Sequence, residues 1–131
     1  MHVARLYTGE DGQSHFGSLE LSYTEMVDSI VPKVAVATGV EFRRSPDGTV
    51  FDWHCSPSRM YMVSLSGQVE FATNEGEKRL FGPGDVILVE DVTGGGHTTK
   101  CVGEWVRITV VIPWEEYVRR IGRSPTHFCI M

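Results

Sequence analysis

No apolar run in this chain approaches the roughly 20 residues that a membrane-spanning helix needs. The longest, Val106 to Ile112, is broken by Arg107 and Thr109. Cysteine is scarce: Cys55, Cys101 and Cys129 are odd in number and form no CxxC pair, which argues against a disulfide framework and against a cysteine-built zinc site. Free thiols suit a reducing compartment, and Met1-His2-Val3-Ala4-Arg5 offers no apolar signal core, so a cytoplasmic protein is expected. In Phe128-Cys129-Ile130-Met131 the cysteine stands third from the end, where prenylation requires the fourth. Positive charge is also short. Lys+Arg 12 against Asp+Glu 17 leaves a net charge of −5 with no basic block, unlike the footprint of a nucleic-acid binder. Disorder is excluded as well, because 41% of the residues are hydrophobic and 10% aromatic. A length of 131 residues suits one domain over 1–131 with a real core.

What is abundant is turn chemistry. Gly 14 and Pro 6 fall between short apolar or alternating runs. Ser45-Pro46-Asp47-Gly48 and Gly82-Pro83-Gly84-Asp85 are turn sequences, with proline set for the first corner and Asp and Gly after it. Strands are expected at Thr49 to Trp53, Tyr61 to Leu65, Val69 to Thr73, Lys78 to Phe81, Val86 to Val89 and Trp105 to Ile112. Short strands at this spacing, with no helix-length segment between them, imply an antiparallel all-β sandwich or barrel.

Two flanks differ from this core. Residues 1–33 form an extension with a polar loop, Thr8 to Gly12, and a strand, Ser18 to Ser22, laid against the main sheet. Residues 113–122 read as one short helix. Pro113 suits its first position, Glu115–Arg119 and Glu116–Arg120 stand at i,i+4, and Gly122 stops it.

The run from Gly48 through His97 resembles the two conserved motifs of the cupin superfamily. In the first motif His54 falls on the leading histidine and Gly67 on the closing glycine, while Ser56 and Met60 stand where a second histidine and a glutamate are usual. In the second, Pro83-Gly84-Asp85, the strand Val86 to Val89 and His97 match, with Glu90 in place of the usual proline. The resemblance implies a double-stranded β-helix, a jelly-roll cupin barrel over about 34–113, flanked by the extension 1–33 and the helix and tail 113–131. It also implies a metal site of three histidines and a glutamate, of which only His54 and His97 remain. Cys55, Asp52, Glu90 or Asp91 would have to supply a third ligand, since zinc and iron sites use at least three protein ligands. Cys55 is next to His54 and should face the other way; Asp52 is in phase with it. The candidate metal set is therefore His54, His97 and Asp52, and a divalent ion there, Zn, Fe, Mn or Ni, is expected to be held weakly.

Strand alternation places Met60, Met62 and Ser64 on the face of His54, as ligand contacts or as plain core filling. Arg59 and Arg107 are able to clamp a substrate carboxylate, or else lie at the surface. Trp53 and Trp105 close the core or stack on a ligand. Glu90-Asp91 ends a strand beside Gly94-Gly95-Gly96, which is no phosphate-binding loop because no Lys-Ser/Thr follows. The reading that results is a small-molecule-binding cupin, an acid/base lyase or isomerase with His54, His97 and Glu90 as catalytic groups. Metal-free epimerases of the family set the precedent. The alternatives are a non-catalytic binding or sensing module and a metal-dependent oxygenase with a non-standard site. Tyr61, Val63 and Leu65 form an outward apolar stripe, and family resemblance implies dimers, so light scattering at micromolar concentration should return the mass of a homodimer.

Overall fold

The computed structural model describes residues 1–23 and 34–113. Within them the protein is all-β, in eight strands: β1 (His2–Thr8), β2 (Ser14–Glu20), β3 (Gly39–Ser45), β4 (Val50–His54), β5 (Met60–Thr73), β6 (Lys78–Phe81), β7 (Val86–Glu90) and β8 (His97–Val111). They form one mixed sheet in the order β2-β1-β7-β5-β8-β3, with β4 added to β8 and β6 to β5; the sheet does not close on itself. β1 runs parallel to β7 and the other pairings are antiparallel. The helix expected over 113–122 lies, apart from Pro113, outside the described residues.

β5 and β8 are the spine, paired from Met60↔Val111 to Thr73↔His97. A strand shows one face at every second residue, so an inserted residue reverses its faces. This happens in β5 between Ser64 and Gln68, where the register shifts twice. Before the shift Met60 and Ser64 are buried; after it Val69, Phe71 and Thr73 are. Glycine makes the irregularity possible. Gly67 has φ +69°, and a Cβ there would lie 2.1 Å from the Glu104 carbonyl oxygen. The two strands expected at Tyr61 to Leu65 and Val69 to Thr73 are thus one continuous strand, with a bulge at Ser66-Gly67 in place of a turn.

β8 buries His97, Thr99, Cys101, Trp105, Arg107 and Thr109, all at odd positions. One face of this central strand therefore carries much of the polar interior. The main apolar cluster joins Leu6, Met60, Val69, Phe71, Phe81, Ile87, Val89, Cys101 and Trp105. A second, on the other face of β7, joins Val3, Leu88 and Ile112 with Tyr61 and Val86 packed against them.

The N-terminal segment is built into the sheet more deeply than expected. It supplies a hairpin, β1–β2, and β1 fills the place beside β7, with Arg5 opposite Leu88 and Leu6 opposite Val89. β3 is a strand that periodicity does not reveal, because every residue except Ser45 is exposed at this edge of the sheet. The expectation of free thiols is corrected at Cys55, which is disulfide-bonded, while Cys101 is free and buried. Burial pushes the Cys101 thiol up, only partly offset by Arg107. No helix of the described residues is long and apolar enough to cross a membrane.

Replacing Gly67 by alanine should cost about 1–3 kcal/mol of stability, because the bulge then combines a left-handed backbone with a clash against β8. Urea unfolding of Gly67→Ala against the parent protein measures it.

Candidate functional site

β4 ends and β8 begins at one cross-strand pair, His54↔His97. Gly96 permits the approach, since a Cβ on it would lie 2.3 Å from the His54 carbonyl oxygen at φ +74°. The two imidazoles consequently stand with ring centroids 4.6 Å apart. His97 is buried and His54 half-buried.

Each ring is held at Nδ1. That of His54 donates to the Asp52 carbonyl oxygen at 2.7 Å. That of His97 hydrogen-bonds Asp91 Oδ2, which also accepts from Ser14 Oγ at 2.8 Å. Asp91 itself is fully buried, and its Oδ1 has no hydrogen-bond partner. A buried carboxylate on Nδ1–H fixes the ring's tautomer and stabilises the imidazolium that forms when Nε2 takes a proton. His54 has only a neutral carbonyl in the corresponding place.

Both histidines line a cavity of about 200 Å³ whose wall includes Met60, Met62, Phe71, Val89, Trp105, Arg43 and Arg107. Phe71 meets the His97 ring edge-on at 5.2 Å and Trp105 at 6.1 Å. The Arg107 guanidinium lies over Trp105, 3.8 Å from the ring centroid. It donates through one terminal nitrogen to Ser45 Oγ at 2.8 Å and to the Trp105 carbonyl at 3.3 Å. Burial, followed by the charge of Arg43, pushes its pKa down to about 10, so it is cationic at neutral pH.

Several residues expected at the site lie elsewhere. Glu90 is engaged by arginines instead of an imidazole. It accepts from Arg5 Nε at 3.1 Å and Arg59 Nε at 3.2 Å, while its neighbour Asp91 takes the orienting role. Successive residues point to opposite sides, and the two carboxylates divide accordingly. Arg59 is thereby committed to Glu90 and does not line the cavity. Ser64 accepts from Trp105 Nε1 at 3.0 Å and supports the wall from behind. Trp53 is 49% exposed and outside the cavity. Asp52 is exposed too, and its carboxylate accepts from the Trp53 amide at 2.8 Å. The phase argument fails for Asp52 because the β4–β8 register is irregular between Phe51 and His54.

The metal set His54, His97 and Asp52 does not fit an ion for the same reason. Among the described residues, the group of three His, Cys, Asp or Glu side chains close enough to hold one is Asp11, His15 and Glu75. Those three satisfy one another at the surface. His15 Nε2 reaches Asp11 at 2.9 Å and Nδ1 reaches Glu75 at 3.8 Å. The Gln13 amide, then His15, holds the Asp11 carboxyl below its usual range.

Ser14, Arg43 and Phe71 were not legible as site residues. Phe71 lies beyond the phase reversal in β5, and Ser14 and Arg43 reach the site only through the placing of β2 and β3. No protein-family model matches the chain, and no curated protein matches it.

Nitrogen-15 spectra of the imidazoles should show a proton on Nδ1 of both His54 and His97; an unprotonated Nδ1 on His97 would mean that Asp91 does not hold the ring. Asp91→Ala strands two buried donors and should lower stability by about 3–5 kcal/mol in urea unfolding.

Proposed function

We propose that this protein is a cupin-like, small-molecule-binding protein that performs acid/base chemistry, a lyase or isomerase reaction, in the His54–His97 cavity. The observation that carries this reading is the pair of facing imidazoles, only one of which is backed by a buried carboxylate. Two chemically similar groups in unlike surroundings are suited to opposite roles as acid and base. His97, with Asp91 behind it, takes a proton at Nε2; His54 donates or returns one. Met60, Met62, Phe71 and Trp105 exclude water from the exchange. The closed turn that begins the second motif is consistent with the cupin reading. Asp85 accepts from the Gly82 amide at 2.8 Å and its own amide donates to the Gly82 carbonyl at 3.0 Å. The jelly-roll assignment belongs to this proposal, as does a homodimer. Of the stripe Tyr61, Val63 and Leu65 only Leu65 is exposed, Tyr61 packing against the second cluster, and the exposed Val40 and Phe42 of β3 support the dimer in their place.

Carbon-bound hydrogen exchange tests the chemistry whatever the product is. Small metabolites that co-purify, or that bind in a mass-spectrometric screen, are incubated with the protein in D₂O and followed by proton NMR. Exchange at one carbon is expected, slowed about 10²–10⁴-fold by His97→Ala or His54→Ala with affinity nearly kept. In the double variant the losses should fall far short of additive, as for groups that act as a unit. Ligands that bind without exchange, and that lose affinity in the histidine variants, would instead identify a binding module.

A further inference from the structure

We propose that the ligand of this cavity is a small organic anion, a monocarboxylate with an apolar body, and that Arg107 is the residue that selects it. The inference rests on the reading of the cavity as a ligand site and specifies the charge that the ligand must bring.

Arg107 is a buried cation whose hydrogen-bond partners are neutral. Its side chain is 3% exposed, and among the described residues no carboxylate stands within ion-pair distance of it. Its hydrogen bonds go to a serine hydroxyl and a backbone carbonyl, and Nε, aligned with the fork that carboxylates fit, is buried without a partner. A buried charge in this condition is costly unless a counter-charge arrives, and a planar carboxylate supplies both the charge and the missing acceptor. The contrast with Arg59 is instructive, since that equally buried guanidinium is paired with Glu90 inside the protein. Arg107 differs in that it lines the cavity.

The balance of charges sets the ligand's valence. Arg43, opposite Arg107 in the β3–β8 register, also lines the cavity but has Glu41 at 4.0 Å. Asp91 is hydrogen-bonded to His97 and does not itself line the cavity. One cation is left over, which suits a monoanion better than a dianion. A volume of about 200 Å³ equals roughly six or seven water molecules at about 30 Å³ each, so the ligand is small. The walls presented by Met60, Met62, Phe71 and Val89 call for an apolar body. Along the wall, Phe71 and Trp105 separate Arg107 from His97, so a molecule anchored by its carboxylate at Arg107 offers a different atom to the histidines.

The test uses butyrate and benzoate with their neutral isosteres, butyramide and benzamide, titrated into the full-length protein. The methyl resonances of Met60 and Met62 locate binding in the cavity, and the Arg107 Nε–H resonance reports the new acceptor. The carboxylates should bind about ten- to hundredfold more tightly than the amides and move the Nε–H signal. Arg107→Met should bring acid and amide within about twofold, and Arg107→Lys should keep part of the preference. Should Arg107→Met fail to fold, the wild-type comparison and Arg107→Lys still decide. Equal binding of acids and amides in the cavity would overturn the anion inference while the ligand-site reading stands. Failure of both series to move the methionine methyls would overturn the two together. A preference that survives intact in Arg107→Met would overturn the assignment to Arg107.

Discussion

Two adjacent carboxylates, Glu90 and Asp91, sit at the end of β7 with no exposure to solvent, and the surrounding architecture answers to them. An ionised carboxylate taken out of water must find cations or donors, and removing one partner from such a pair costs several kcal/mol. Glu90 is met by Arg5 from β1 and Arg59 from the segment before β5; Asp91 is met by Ser14 from β2 and His97 from β8. Elements far apart in the chain are tied to one dipeptide. The N-terminal hairpin is thus part of the site's foundation, although it supplies no residue to the cavity wall.

This arrangement also separates structural from chemical electrostatics. In the Arg5–Glu90–Arg59 cluster one carboxylate engages both guanidiniums, and none of the three lines the cavity. The Asp91–His97 pair is joined by a hydrogen bond through Nδ1, which leaves the other ring nitrogen, on a cavity-lining residue, outside that bond. Arg107 is the one of these cations whose hydrogen bonds go only to neutral groups, against an aromatic face. The cavity thus holds a carboxylate-backed imidazole and a buried guanidinium, with Phe71 and Trp105 between them.

Much of this was readable from residues alone. The turn at Gly82 to Asp85, strand β6 and most of β4 and β7 follow from local chemistry that tertiary contacts do not override. His54 and His97 line one cavity, and the alternation of Met60 and Met62 put them in its wall. The misreadings have a common origin. Ser66-Gly67 is a turn by composition and a bulge in fact, because β8 lies close enough for a Cβ to collide. Asp52 is in phase with His54 by count and out of phase after the irregularity in β4. Ser64 and Arg59 are polar groups that found partners within the protein, at Trp105 and Glu90, and so do not line the cavity.

The sequence by itself determined the class of structure and the chemical vocabulary of the site. Period-two patterns punctuated by glycine and proline specify strands, and His54 and His97 supply the imidazoles that line the cavity. Only the tertiary structure decided which of two neighbouring carboxylates serves an imidazole, which of two arginines is spent on an internal ion pair, and which strand fills the place beside β7. Those choices depend on bulges and on the pairing of strands distant in sequence. A shift of one residue exchanges the two faces of a strand, and local sequence does not record on which side of the shift a partner will lie.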